Sequence, residues 1–405
     1  MHILREYNKD KKNMNKLKTI IDNYLTTKEF YLAKEYYDRA MKIDMNDKYL
    51  QEKWIILAYY IDEKKDMDKF CTQMMNKKGF NTKHVMNNFK FYTKKLCDFE
   101  EKTDLTEQLE SLPGFVKINL NIPDKFSSST PSVIYKDDEI FVNIRFVEYH
   151  IDYNGSYIFK DEENNCETIN VLVQIKDNII IDMNILDYET KYGTSLWGRE
   201  FKGLEDIRLL EYDNRIYYSS TRPFTHPEFP NKKIGIQSGE IKNNMLETNI
   251  MRIENQRNFE KNWVICCKEE KLFYIYEWFP LTICQIDKVS NDVTDLKIIH
   301  KNSQLPELFK FLRGSTNGVV IDGEYWFICH LVHETNLRYY YHVFVVLDLD
   351  FNFIKMSSMF TFENKHIEYC LGLQFRDDKF LLGYSTMDRT SRFIQVDKSE
   401  INELF

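Results

Sequence analysis

The stretch GLEDIRLLEYDNRIYYSSTRP, Gly203 to Pro223, holds the pattern that decides the fold. A charged cluster, Glu205, Asp206 and Arg208, opens a hydrophobic run; the turn YDNR follows, and a second run ends in aromatics and hydroxyls. Short alternating runs broken by turn residues read as paired strands. The same grammar recurs in NIRFVEYHIDYNGSYIF (143–159), EKNWVICCKEEKLFYIYEWFP (260–280), RGSTNGVVIDGEYWFICHLVHE (313–334) and IEYCLGLQFRDDKFLLGYSTMD (367–388). With Arg145, Asp206, Asn262, Ser315 and Glu368 taken as equivalent points, the spacings are 61, 56, 53 and 53 residues. Propeller blades repeat at about 40–50 residues. Five such units fit between Pro113 and Phe405, so the pattern predicts an all-β five-bladed propeller over residues 111–405.

The first quarter has a different period. KLKTIIDNYLTTKEFYLAKEYYDRAMKI, DKYLQEKWIILAYYIDEKKDMDKFCTQMMNKK and TKHVMNNFKFYTKKLCDFEEKTDLTEQLESL place apolar residues three and four apart, which predicts helices, with Asp47 and Thr82 as N-caps. EFYLAKEYYDRAMKID (29–44) looks like a tetratricopeptide-type helix, with Ala33 and Ala40 small enough for close contact. It amounts to about one and a half repeats, where a solenoid needs at least about three. Residues 1–110 therefore read as a small all-α, tetratricopeptide-like module that caps the propeller or docks a protein partner.

Composition excludes several classes. The chain has 405 residues and a net charge of -8, so a nucleic-acid partner, which requires a basic face, is not expected. No apolar run reaches the length of a membrane span, and the start MHILREYNKDKKNMNK lacks the apolar core of a secretory signal; a cytoplasmic protein is expected. The eight cysteines show no metal-ligand spacing and read as reduced thiols packed as small hydrophobes. No P-loop, GxGxxG, HExxH or GxSxG appears, and the acidic pair in DLD (348–350) sits at a strand end and reads as a turn. Neither a metal nor an organic cofactor is expected.

In a propeller the innermost strand of each blade lines a central channel. If a polar cluster opens that strand in each repeat, Arg145, Glu205, Asp206, Arg208, Lys261, Asn262, Arg313, Glu368 and a histidine converge at one mouth. The aromatic stretches FYIYEWFP (273–280) and RYYYHVF (338–344) read as packing. KDKKNMNKLK (9–18) reads as a solvated helix face.

The motif Gly203-Leu204-Glu205-Asp206-Ile207-Arg208 resembles GxEDPR of glycoside hydrolase family 130 and the related mannosyltransferase and phosphorylase family 108, with Ile207 where those families have proline. EKNW (260–263), RGS (313–315) and FICH (327–330) resemble those families' later blade openings and the motif of their phosphate-binding histidine; His333 in LVHE competes with His330 for that place. The segment from Arg338 to Phe375 looks more like viral and bacterial propellers that accompany glycosyltransferases. The resemblance implies a five-bladed propeller acting on mannose-type glycans, with Asp206 as the catalytic acid and inorganic phosphate or a sugar donor as co-substrate.

Inverting glycosyl transfer needs a proton donor at the leaving oxygen and an acceptor on the opposite face. If phosphate is the acceptor, cations replace the second carboxylate. Asp206 with Arg145, Arg208, Lys261, Asn262, Arg313 and His330 or His333 meets that need. A hydrolase instead requires a second carboxylate, for which Glu368 is the candidate. Three other readings stand beside this: an Asp206–Arg208 pair that is purely structural, a glycan-binding or scaffold propeller whose helical module docks a glycosyltransferase, and a peptide-binding propeller.

Overall fold

The computed structural model describes residues 13–44 except 28, positions 47, 49, 50, 53 and 57, and residues 94–405 apart from 153–155, 160–164, 189–194, 197–198, 225, 227–233, 291 and 335–337. The chain divides into two compact units, 1–93 and 94–405.

The described part of the first unit is helical. Helix α1, Met14–Thr26, is capped by Asn13, whose side chain accepts from the Lys16 N–H, and buries Leu17, Ile20 and Ile21. It packs against helix α2, Phe30–Met41, where Ala33 and Ala40 are fully buried. Asp47 caps as its sequence position predicts: its Oδ1 accepts from the Leu50 N–H at 3.2 Å. Thr82 and most of the two later helical segments fall outside the described residues.

The continuous helix expected up to residue 112 does not form in its described part. Lys94–Lys95 is a short strand, pairing in parallel with Phe360–Thr361. A new helix, α3, then runs from Asp104 to Asn119, straddling the expected boundary at 110. Thr103 starts it with a reciprocal cap, exchanging hydrogen bonds with Thr106. The helix runs through Pro113, a residue whose place in a helix interior costs about 3 kcal/mol. Burial of Leu109, Leu112 and Val116 offsets that, at about 1.5–3 kcal/mol for each side chain. These side chains pack on Val133, Val142 and Ile144, so α3 belongs to the β unit.

The β unit is mostly β and propeller-like, a succession of antiparallel meanders. The first comprises Ser127–Lys136, Glu139–Val147, Cys166–Lys176 and Ile179–Ile185. The second comprises Glu205–Tyr212, Arg215–Pro223, Ile234–Lys242 and Met245–Leu246. The third is Val264–Lys268, Lys271–Trp278, Leu281–Ser290 and Val293–Asn302. The fourth is Val319–Ile321, preceded by Arg313–Gly314, with Glu324–Glu334, Arg338–Asp348 and Phe353–Met356. The last has three strands, Glu368–Arg376, Lys379–Thr386 and Arg392–Asp397.

Two-residue turns join the first two strands of these meanders. Paired left-handed backbone at Asp213–Asn214, Glu269–Glu270, Asp322–Gly323 and Asp377–Asp378 matches the twist of the strands, as the acidic turn signals predict. First strands lie side by side: Ser127–Lys136 packs against both Glu205–Tyr212 and Glu368–Arg376, and Val319–Ile321 also meets Glu368–Arg376. The hydrophobic clusters lie between neighbours, for example Ile134 and Phe141 with Ile207 and Tyr218, and Trp326 and Phe344 with Phe380 and Leu382. One link departs from separate blades. Asn249–Ile253 pairs with Ile234–Lys242 and, in parallel, with Val293–Leu296, fusing the second and third meanders into one sheet. Cys166, Cys266, Cys284, Cys329 and Cys370 are buried free thiols, while Cys71 lies outside the described residues.

Gly314, on the fourth meander, lies close against the start of the third. A Cβ there would lie 2.5 Å from the Asn262 carbonyl oxygen and 2.6 Å from Val264 Cγ1. Gly314→Ala should therefore lower unfolding stability by about 1–3 kcal/mol, the range for overpacking. Urea unfolding checks this, and an unchanged midpoint refutes the close approach.

Candidate active site

The bulge that interrupts pairing between Glu205 and Arg208 shapes the centre of the site. Asp206 adopts φ +54°, left-handed backbone that re-aims its side chain. Asn262, at the corresponding place before the third meander, adopts φ +64°. All five meanders contribute to one cleft of about 230 Å³. The first supplies Arg145 and Tyr149, the second Glu205 and Asp206, and the approach to the third Lys261 and Asn262. The fourth gives Arg313, His330, Arg338 and Tyr340; the last gives Tyr369 and Asp388. Beside it opens an aromatic annex of about 540 Å³, lined by Phe159, Phe201 and Phe259 and sharing Tyr149, Tyr157, Glu205 and Lys261 with the cleft.

Arg145 is 3 % exposed and pairs through Nη1 with Asp206 Oδ1 at 3.0 Å. Its Nη2 donates to Tyr149 Oη at 3.2 Å, and Tyr149 Oη donates to Asp388 Oδ2 at 3.0 Å. Ser129 Oγ donates to the other oxygen of Asp388 at 3.2 Å. Burial pushes the Asp388 carboxyl above the ordinary aspartate range; Arg145 opposes the shift and the charge of Asp206 adds to it. Arg145 is not at the opening of a first strand as its repeat position implies. It lies near the end of the second strand, opposite Ser129, and reaches the same mouth because antiparallel pairing returns the chain there.

Arg208 does not face the cleft as an anion ligand. Its guanidinium is buried and spent on the protein: Nε donates to the Ser315 carbonyl at 2.6 Å, Nη1 to the Asp206 carbonyl at 3.0 Å and Nη2 to Tyr369 Oη at 2.7 Å. The cation on the Asp206 carboxylate is thus Arg145. Tyr369 in turn donates to Asn262 Oδ1 at 2.9 Å.

Glu368 also leaves the expected set. It is fully buried, and its carboxylate accepts from the backbone N–H groups of Phe362, Glu363 and Lys365 at 2.6–2.8 Å, capping a turn instead of lining the cleft. His330 does line the cleft, with Nδ1 2.8 Å from Ser315 Oγ and its ring stacked on Tyr340. Burial, reinforced by His342, Arg313 and Arg208, holds its pKa well below 6.5, so the ring is neutral at pH 7 and brings no positive charge. His333 lies on the same strand opposite Tyr339, but its side chain is outside the described residues. Lys261 is half exposed, with Nζ 3.7 Å from Glu205 Oε2.

Asp388, Tyr149, Tyr369, Tyr340 and Arg338 were not singled out from the sequence. Two of them, Arg338 and Tyr340, fall in RYYYHVF, which read as packing. The usable signal was strand pairing: the end of each second strand, such as STMD (385–388), lies beside the start of its first strand. DLD forms a turn, with Asp348 Oδ1 accepting from the Asp350 and Asn352 N–H groups. Among the described residues no helix is long and apolar enough to cross a membrane, and no group of His, Cys, Asp and Glu could hold a metal ion.

Burial pushes the Glu368 pKa up to about 7, against the three N–H groups that favour the ionised form. The folded value lies above the unfolded one of about 4.3, so the folded chain holds a proton that the unfolded chain releases. The resulting stability is present below about pH 4 and is lost as pH rises to 7. Between pH 4.5 and 7, Glu368→Gln should therefore gain about 3 kcal/mol relative to wild type. Urea unfolding at both pH values tests this; a pH-independent difference contradicts the buried placement.

No known family's sequence profile matches the chain, and no curated protein matches it. Solved structures match it at low identity. A β-1,2-mannobiose phosphorylase from Listeria innocua, bound to β-1,2-mannobiose, is 12% identical over 70% of this chain and 94% of its own, with a TM-score of 0.44. A glycosyl hydrolase from Bacteroides ovatus is 12% identical over 68% of this chain and 85% of its own, with a TM-score of 0.44. A mannose phosphorylase from Leishmania mexicana, in complex with phosphate ion, is 11% identical over 70% of this chain and 87% of its own, with a TM-score of 0.39.

Proposed function

We propose that the β unit is a five-bladed propeller and an inverting carbohydrate-active enzyme, a glycoside phosphorylase or hydrolase acting on mannose-type glycans. One observation carries this reading: titratable and hydrogen-bonding side chains from Arg145 to Asp388 meet in a single cleft, one contribution from each meander. A cleft built only for packing has no use for three carboxylates, a lysine and several guanidinium groups at one point.

In this reading Asp206 protonates the leaving oxygen, on the strength of its GLEDIR motif and its place in the cleft. Asp388 sits across the Arg145–Tyr149 bridge, where burial favours its protonated form. Lys261 and Arg313 hold the anionic acceptor, Lys261 as a point charge and Arg313 as a planar fork. Asn262, Tyr369 and neutral His330 orient sugar hydroxyls or phosphate oxygens. Arg208 is a positioning residue that holds Asp206, Ser315 and Tyr369 in register. The mannose preference rests on the motif resemblance. The rival reading, a glycan-binding propeller without turnover, draws on the aromatic annex, whose ring faces suit sugar stacking.

The assay incubates the protein with mannosides and phosphate and follows sugar-1-phosphate and free sugar separately. Asp206→Asn should fold normally and lose about two to four orders of magnitude in turnover, the usual share of general acid catalysis. Retained activity in Asp206→Asn with loss in Asp388→Asn moves the acid role to Asp388. Glycan binding by the wild type without turnover on any mannoside favours the rival reading.

The anion site has its own test. With His330 neutral, sulfate affinity should stay flat between about pH 5.5 and 8. Arg313→Gln should weaken it about tenfold or more. A drop centred near pH 6.5 that disappears in His330→Gln shows instead that the imidazole is charged.

A further inference from the structure

Arg222 and Pro223 are neighbours on the second strand of the second meander, and successive strand side chains point to opposite faces. Pro223 lines the aromatic annex, whereas Arg222 lines a separate cavity of about 300 Å³ that shares no residue with the central cleft. Arg222 is 3 % exposed, yet neither Nε nor Nη2 has a hydrogen-bond partner. The ring of Tyr188 lies 5.0 Å from its guanidinium carbon. Gln237 lines the same cavity, is 4 % exposed, and its Oε1 also lacks a partner.

A buried charge without a counter-charge is among the most costly arrangements in a folded chain. Burial pulls the Arg222 pKa down, as it must where no anion compensates. The unpartnered edge, Nε with Nη2, is the side of the guanidinium that grips two oxygens of a carboxylate or phosphate. The cavity's own acids are turned to other groups: Glu247 lies 4.0 Å from Lys242 and Asp292 lies 3.9 Å from His226. Those two acids can accept hydrogen bonds from an occupant's hydroxyls.

We propose that this cavity binds a small hydroxylated oxyanion, in class a sugar acid or sugar phosphate. Its oxyanion sits on the Nε–Nη2 edge of Arg222, and a hydroxyl donates to Gln237 Oε1. The site is independent of the catalytic reading, because none of its residues enters the central cleft.

Titration calorimetry and thermal unfolding of the full chain test it with gluconate, glucose 6-phosphate and neutral glucose as probes. Gluconate or glucose 6-phosphate should bind saturably and raise the melting temperature, while glucose should do neither. Gluconate alone assigns a carboxylate ligand, glucose 6-phosphate alone a phosphate; either supports the site. Arg222→Met and Gln237→Leu should each weaken binding about tenfold to a hundredfold, and Arg313→Gln in the central cleft should leave it intact. Should Arg222→Met fail to fold, Arg222→Lys keeps the charge, lacks the planar fork, and should still lose about tenfold. The proposal is overturned if neither anion binds up to about 10 mM, or if both bind equally well to the Arg222 variants.

Discussion

Arg208 is the group on which the inner ring of the β unit depends. Its three nitrogens reach the Asp206 carbonyl on its own meander, the Ser315 carbonyl on the fourth and the Tyr369 hydroxyl on the last. One fully buried cation thus fixes the spacing of three first-strand openings that lie up to 161 residues apart in the chain. A lysine could supply the charge there but not three donors in a plane. Removal of the guanidinium would strip the Asp206 and Ser315 carbonyls of this donor, and a carbonyl left buried and unsatisfied costs about 1–3 kcal/mol. Tyr369 carries the constraint onward to Asn262, so the third meander is tied to the same network.

The cleft takes its shape from that frame and from two residues with left-handed backbone. Asp206 and Asn262 leave the regular pleat at the point where each strand begins, which turns their side chains toward the axis instead of across the sheet. Aspartate and asparagine tolerate this conformation better than most residues, so the side chains that suit the chemistry also suit the backbone. The carboxylate pair is then linked by the Arg145–Tyr149 bridge, which joins the first meander to the last.

Much of this was legible in the sequence, and the misreadings have physical causes. Turn signals such as EYDNR and FRDDK located hairpins, because paired left-handed positions accept few residues. Polar openings at Asp206, Lys261, Asn262 and Arg313 located the cleft, because inner strands converge. Arg208 and Glu368 were misassigned for one reason: a charged residue at a strand opening can face the channel or turn inward to satisfy backbone groups, and sequence spacing does not separate the two. Asp388 was overlooked because the search followed strand beginnings only. Helix α3 crosses the expected boundary because the burial of Leu109, Leu112 and Val116 outweighs the cost of Pro113 inside it.

The seam between the segment after Lys94 and the last meander has a consequence for synthesis. Thr103 Oγ1 donates to Gln395 Oε1, and the Glu101 N–H donates to the Gln395 carbonyl, across 292 residues in the case of Thr103. Ser127–Lys136 likewise lacks one neighbour until Glu368–Arg376 exists. On the ribosome the first meander therefore emerges with an open flank, which stays open until Glu368–Arg376 has been made. Contacts of such long range form late and slowly. Through that interval Val133, Leu381 and Phe393, which finally share one core, cannot meet, and the nascent chain carries an uncovered apolar edge.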